Sequence, residues 1–234
     1  APLKPAAWEP CGKPADPFMA AWPPGPTPLT AGLLKLLPLD WIAKPPSLHA
    51  DLAAELPEGG RQGSDPIHWW AAGMYSGRLR RQLLYLRTHP NPAMVAVLVQ
   101  QLAAGLGAEP WARPPLLVAI PSWKRRANPL PGLLGRALSW QLGWRQVPLL
   151  QRSRAVLGQH HLGRELRWAN QAGAFRCSAS GQQQHPRDKP AVVLLDDILT
   201  TGATACAAAD TLRDQGWQVA GMACLARTPW QGRD

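Results

Sequence analysis

Residues Val192–Thr204 read VVLLDDILTTGAT, and this stretch decides how the rest of the chain is read. Ala191–Leu195 is a short continuous apolar run, as expected of a strand buried on both faces. Two consecutive acids, Asp196 and Asp197, end it, and a threonine-glycine loop leads straight into a helical pattern over Thr204–Gln215, stopped by Gly216. In open α/β sheets, ligands sit beyond the carboxyl ends of the strands, where the two acids would lie. Carboxylates accept hydrogen bonds from sugar hydroxyls and help to hold Mg2+, directly or through water. The loop Thr200-Thr201-Gly202-Ala203-Thr204 brings backbone N–H groups and hydroxyls to a helix N-terminus, an arrangement suited to phosphate. Gly202 lets the backbone turn and come close to the anion. Acids for a ribose beside amides for its phosphate describe a ribose 5-phosphate site. The plainer alternative is that the acids terminate a strand and that Thr200 or Thr201 caps a helix. A Walker A pattern is absent from the chain, which speaks against an ATPase.

Outward from this run, helices and strands alternate. Ile67–Gly77 (IHWWAAGMYSG) reads as a strand or hairpin, and Arg78–Arg87 as a helix with Leu79, Leu83, Leu84 and Leu86 inward. Pro92–Gly105 is a helix with proline near its start and glycine at its end. Leu116–Ile120 (LLVAI) is a second buried strand, Pro131–Leu142 a helix ending at Gly143, and Val147–Leu150 a strand. A polar segment over Ala155–Ala174 holds a short helix, and Val219–Leu225 is a last strand. Strands alternating with helices make this an α/β chain with a mostly parallel sheet covered on both faces. The first 28 residues are interrupted by proline at nearly every turn and read as an extended arm. Leu29–Leu37 and Leu48–Leu56 are patterned as short amphipathic helices, and Pro57–Pro66 (PEGGRQGSDP) has the composition of a linker. The expected organisation is a proline-rich region over residues 1–64 and an α/β domain over 65–234.

The 234 residues carry a net charge of +10, unevenly spread. Residues 1–66 hold 14 of the 26 prolines and a net charge of −2. From Arg113 to Arg187 there are 12 Lys and Arg against one acid, Glu165. A field of that sign attracts polyanions, whether nucleic acid, pyrophosphate or a phosphorylated metabolite. No run of 18 apolar residues or secretory leader is evident, and Cys11, Cys177, Cys206 and Cys224 form no C-x-x-C pair. A cytoplasmic protein with reduced thiols is expected, and Cys206 and Cys224 read as inert buried thiols. Most of the twelve tryptophans, Trp69 and Trp70 among them, read as core or domain-contact residues.

The run Val192–Thr204 resembles the phosphoribosyl pyrophosphate (PRPP) motif of type I phosphoribosyltransferases. Tyr75–Arg87 (YSGRLRRQLLYLR), Ile120–Leu130 (IPSWKRRANPL) and Gly158–Phe175 (GQHHLGRELRWANQAGAF) are similar, in order, to three segments of the ComF/GntX group of that superfamily, proteins associated with competence and DNA uptake. The resemblance covers roughly Asp65 to Pro229, a span of ordinary domain size. It implies a type I phosphoribosyltransferase-like fold, with Asp196 and Asp197 on the ribose hydroxyls and as Mg2+ holders. It also implies that Thr200, Thr201, Gly202, Ala203 and Thr204 bind the 5′-phosphate. The cofactor implied is Mg2+ and the ligand PRPP or a related ribose 5-phosphate.

The chain also departs from the group. Many members begin with a four-cysteine zinc ribbon, of which this chain keeps at most Cys11. Where members commonly carry Arg-Arg-Gly-Phe-Asn-Gln, this chain reads Arg125-Arg126-Ala127-Asn128-Pro129-Leu130. Some purine enzymes of the superfamily place an aspartate base where Thr200 stands, and a threonine hydroxyl is a poor base at neutral pH.

Other candidates follow with their plainer alternatives. Ser122, Lys124, Arg125 and Arg126 follow a buried strand, where the resemblance implies contact with pyrophosphate; the alternative is a solvated basic loop. His160, His161 and Arg164 fall where the superfamily carries a mobile hood, or on an ordinary exposed loop. Arg80, Arg81 and Arg87 read as a solvated helix face. Two functions therefore follow. One is transfer of a phosphoribosyl group to a nitrogen nucleophile with release of pyrophosphate. The other is a non-catalytic module binding single-stranded DNA or a partner of the uptake machinery.

Overall fold

A computed structural model describes residues 55–122, 128–155, 164–178 and 189–229. The chain divides into compact units at Ile42 and Ala43, and every described residue lies in the second. In order, the elements are β1 (Arg61–Gly63), β2 (Trp69–Met74), α1 (Gly77–Thr88), α2 (Pro92–Ala108), β3 (Leu116–Ala119), α3 (Leu130–Leu142), β4 (Leu150–Arg152), α4 (Arg164–Gln171), β5 (Phe175–Cys177), β6 (Val192–Leu199), α5 (Ala203–Arg213) and β7 (Val219–Arg227). Residues 1–54, which hold the first expected amphipathic helix and most of the second, lie outside the described residues, whereas the last ten residues of the expected proline-rich region are described.

The sheet runs β1-β2-β7-β6-β3. All neighbours are parallel except the edge pair β1 and β2, so the expected mostly parallel α/β architecture is present. Alternation along each strand builds two apolar layers. Leu116, Val118, Val192, Leu194, Met222 and Cys224 pack with Ala205, Ala208, Ala209 and Leu212 of α5 on one face. The opposite face, with buried Leu117, Val193, Leu195 and Ala223, is covered by α2 and α3. Each fully buried leucine in these layers contributes roughly 1.5–3 kcal/mol.

Several elements differ from expectation, each for a physical reason. Arg61–Gly63, inside the expected linker, pairs with Trp69–Ala71 as the antiparallel edge strand β1. Helix α2 runs through Gly105 to Ala108; a Cβ on Gly105 would collide with the Gly59 carbonyl, so the glycine serves a close approach and not a helix end. On α1, Leu79, Leu83 and Leu86 form one buried stripe at i, i+4 and i+7, while Leu84 falls off that stripe and is exposed. The strand expected at Val147–Leu150 is displaced. Gln146 only bridges Leu117, and Leu150–Arg152 pairs instead with β5, a strand hidden in the sequence by its three-residue length. Of the described tryptophans, Trp140 and Trp168 are exposed and Trp69 is half-buried, while others lie in the core as expected. Trp70 and Trp217 are buried, and Trp70, Trp111 and Trp144 form a chain of ring contacts 5.8 and 5.7 Å between centroids.

Candidate functional site

Strand β6 does not stop at its acids. It continues to Leu199, held by parallel pairing of Asp196 with Cys224, Ile198 with Ala226 and Leu199 with Arg227. The acids therefore sit within the last half of the strand, on rigid backbone, and the loop begins only at Thr200.

Asp197 is 3% exposed, and its Oδ2 accepts from Arg87 Nε at 2.6 Å and from Asn128 Nδ2 at 2.7 Å. Burial opposes the Arg87 charge, but the hydrogen bond to Asp197 and the charge of that carboxylate outweigh it and hold the guanidinium above its ordinary value. Arg87 is thus no member of a solvated face. Arg80 and Arg81 on the same helix are exposed, as expected. Asp196 is half-buried, and its Oδ1 accepts from the Asp197 N–H at 2.9 Å. Desolvation and the neighbouring Asp197 charge push its carboxyl up to about 8. The two acids therefore face each other electrostatically as one cluster.

Arg152 joins from β4. It donates to the Pro121 carbonyl at 2.8 Å and to Gln171 Oε1 at 3.1 Å, and lies 4.0 Å from the centre of the Phe175 ring. Burial lowers its pKa to about 10, with the Asp196 charge opposing. It ties the segment after β3, which leads to exposed Ser122, to the neighbourhood of Asp196. Lys124, Arg125 and Arg126 lie outside the described residues, as do His160 and His161 and the side chain of Arg164. Their bracketing residue Asn128 reaches the acid cluster, and its Oδ1 accepts from the Leu130 N–H at the start of α3.

The loop after β6 turns sharply at Gly202, which has φ of +81°. A Cβ there would collide with the Pro66 ring, so the missing side chain admits that ring. The ladder of α5 opens with the hydrogen bond from the Cys206 N–H to the Gly202 carbonyl, so the amides of residues 203–205 precede it. Ala203 N–H makes a long contact with Thr201 Oγ1 at 3.5 Å. Thr200 is exposed, Thr201 and Thr204 are half-buried, and Gly202 and Ala203 are buried. Thr200 and Thr201 do not act as an N-cap; Gly202 takes that position without a side chain. Arg227, at the end of β7, is 6% exposed and donates through Nη1 to the Leu199 carbonyl at 3.2 Å and to the Thr200 carbonyl.

Sequence reasoning missed Asn128, Arg152 and Arg227 and misread Arg87. One signal was available: Arg227 is a charge closing an otherwise apolar strand, VAGMACLAR. Cys224 is buried as expected, and Cys206 is half-buried.

As a test for Mg2+, the donor set is two hard carboxylates on adjacent residues, and among the described residues no group of three His, Cys, Asp or Glu converges. Oδ2 of Asp197 is engaged by Arg87 and Asn128 and Oδ1 of Asp196 by a backbone N–H, and the two carboxyls also hydrogen-bond to each other, so a cation bound here would take the place of that mutual contact. That set suits Mg2+, which usually takes one or two carboxylates and completes its shell with water and substrate phosphates.

No known family profile matches the chain. It is similar to the DNA utilization protein YhgH of Salmonella typhi, 30% identical over 154 residues, which cover 61% of this chain and 62% of that protein. It is likewise 30% identical to the DNA utilization protein YhgH of Escherichia coli (strain K12) over 132 residues, 49% of this chain and 50% of that one. The chain therefore spans between half and less than two thirds of these relatives' length. Among solved structures, adenine phosphoribosyltransferase from Leishmania donovani aligns with a TM-score of 0.41 and 14% identity, over 70% of this chain and 73% of that one. Among the described residues no helix is long and apolar enough to cross a membrane.

Proposed function

We propose that this chain is a phosphoribosyltransferase-like protein of the ComF/GntX kind, binding PRPP or another ribose 5-phosphate with Mg2+ at the end of β6. The observation that carries this reading is the acid pair on rigid strand followed within three residues by a helix-initiating threonine loop. Asp196 and Asp197 hold the ribose hydroxyls, Arg87 and Asn128 fix Asp197 in place, and the loop from Thr200 to Thr204 takes the 5′-phosphate. Lys124, Arg125 and Arg126 supply the charge that meets pyrophosphate, and Ser122 supplies a hydroxyl.

The reaction this arrangement fits breaks the bond from C1 of the ribose to the pyrophosphate oxygen, which keeps the electron pair. A nitrogen lone pair then forms the new bond at C1, and the proton of that nitrogen passes to solvent or to a base on the acceptor side. Mg2+, when bound by Asp196 and Asp197, supplies charge neutralisation for the departing pyrophosphate. The chain's own cations act in the same sense. Pyrophosphate release from PRPP, screened against a panel of nucleobases and amines, tests the reading. Release that depends on an amine or base and is lost in Asp196→Asn/Asp197→Asn is expected; no release with any acceptor refutes transfer.

A second reading, a non-catalytic module for single-stranded DNA or a partner of the uptake machinery, is favoured by two observations. The relatives above are named DNA utilization proteins, and 12 Lys and Arg face one acid between Arg113 and Arg187. Its signature is affinity for a labelled oligonucleotide that falls steeply with salt, since bound phosphates release counterions. Binding indifferent to ionic strength refutes it.

A further inference from the structure

We propose that Arg227 is the positioning residue of the phosphate loop: it turns the loop's first amides toward the ligand and makes the site selective for an anion. The inference rests on the phosphate reading of residues 200–204 and deepens it.

Three observations carry it. First, the Arg227 guanidinium binds the carbonyls of both Leu199 and Thr200, and the Thr228 N–H reinforces the first at 2.9 Å. A trans peptide unit is planar, with the C=O of one residue and the N–H of the next pointing in opposite directions. Anchoring these two carbonyls on Arg227 therefore directs the N–H groups of Thr200 and Thr201 away from it. Second, Arg227 pairs in register with Leu199 across β6 and β7, so the sheet fixes the backbone from which the side chain reaches the loop. Its guanidinium is also backed by Trp69, 5.7 Å from the ring centre. Third, the guanidinium is nearly fully buried, and among the described residues no carboxylate forms an ion pair with it. A buried cation is costly unless something anionic offsets it, and of the described carboxylates Asp65 does so electrostatically without forming an ion pair. Carbonyl dipoles supply part of that. A phosphate held by the loop supplies charge of the right sign.

The test compares the full chain with Arg227→Gln and Arg227→Lys. Calorimetric titration with PRPP and Mg2+, and separately with inorganic phosphate, is combined with hydrogen exchange across residues 199–205. Arg227→Gln is expected to weaken PRPP binding tenfold or more and to speed exchange at Thr200 and Thr201. Arg227→Lys, which keeps the charge, is expected to recover most of the affinity, a rescue that a purely structural role does not predict, and it serves if the glutamine variant fails to fold. Equal affinity in wild type and Arg227→Gln, or no recovery by lysine in a folded variant, overturns the proposal. A wild type that ignores PRPP yet holds phosphate in an Arg227-dependent manner upholds Arg227 and overturns the sugar reading. A wild type that holds neither overturns both.

Discussion

Replacing Arg87 by leucine keeps an apolar stem on α1 and removes the only guanidinium in the described ion pairs that reaches Asp197. Removing one partner of a buried ion pair costs about 3–5 kcal/mol, because the other charge is left uncompensated. Two features of this site reduce that figure. The Arg87 side chain is 31% exposed, so water can enter the vacated space, and Asn128 keeps its 2.7 Å bond to the same oxygen. The expected loss is about 2–3 kcal/mol. Urea unfolding at neutral pH measures it, with Arg80→Leu and Arg81→Leu as exposed controls expected to stay within about 0.5 kcal/mol of wild type. A double-mutant cycle with Asp197→Asn isolates the pair, and a coupling of about 1.5–2.5 kcal/mol is expected. A coupling below about 0.5 kcal/mol, the worth of an exposed pair, would refute the claim that Arg87 is part of the site.

Gly202→Ala forces an L-residue into positive φ and drives a methyl group into the Pro66 ring, so a loss of about 2–4 kcal/mol is expected, partly recovered by adding Pro66→Ala. Gly105→Ala gains up to about 1 kcal/mol of helix propensity. The collision with the Gly59 carbonyl outweighs it, so chemical denaturation should show net destabilisation. Without ligand or Mg2+, the Asp196 carboxyl binds its proton up to about pH 8 in the folded state but loses it near 3.8 when unfolded, so the folded state holds more protons in between. Stability from this group therefore falls as pH rises from about 4 to about 8, and Asp196→Asn should flatten that slope in a series of thermal melts.

The fold was largely legible because its central strands are apolar on both faces and its helices carry one buried stripe. Ala191–Leu195 and Leu116–Ile120 needed only composition and length to be read. What escaped depended on contacts distant in sequence. Gly105 looks like a helix stop until Gly59, far earlier in the chain, is seen to pass against it. Arg87 looks like one more exposed charge, yet its partner is 110 residues away. The acids seemed to end a strand because polar residues usually do, whereas β7 continues the ladder past them with backbone hydrogen bonds that are indifferent to side-chain type. The core of the candidate site, Asp196 to Thr204, was local and therefore readable. The residues that orient it, Arg87, Asn128, Arg152 and Arg227, come from four other segments and carry no shared motif.

The central claim is that this acid cluster and the loop after it grip one phosphorylated pentose together. Isothermal titration of the full chain with PRPP in the presence of Mg2+ tests it most directly. Saturable one-site binding that disappears in Asp196→Asn/Asp197→Asn is predicted; absence of heat with wild type, or the same isotherm for both proteins, contradicts it.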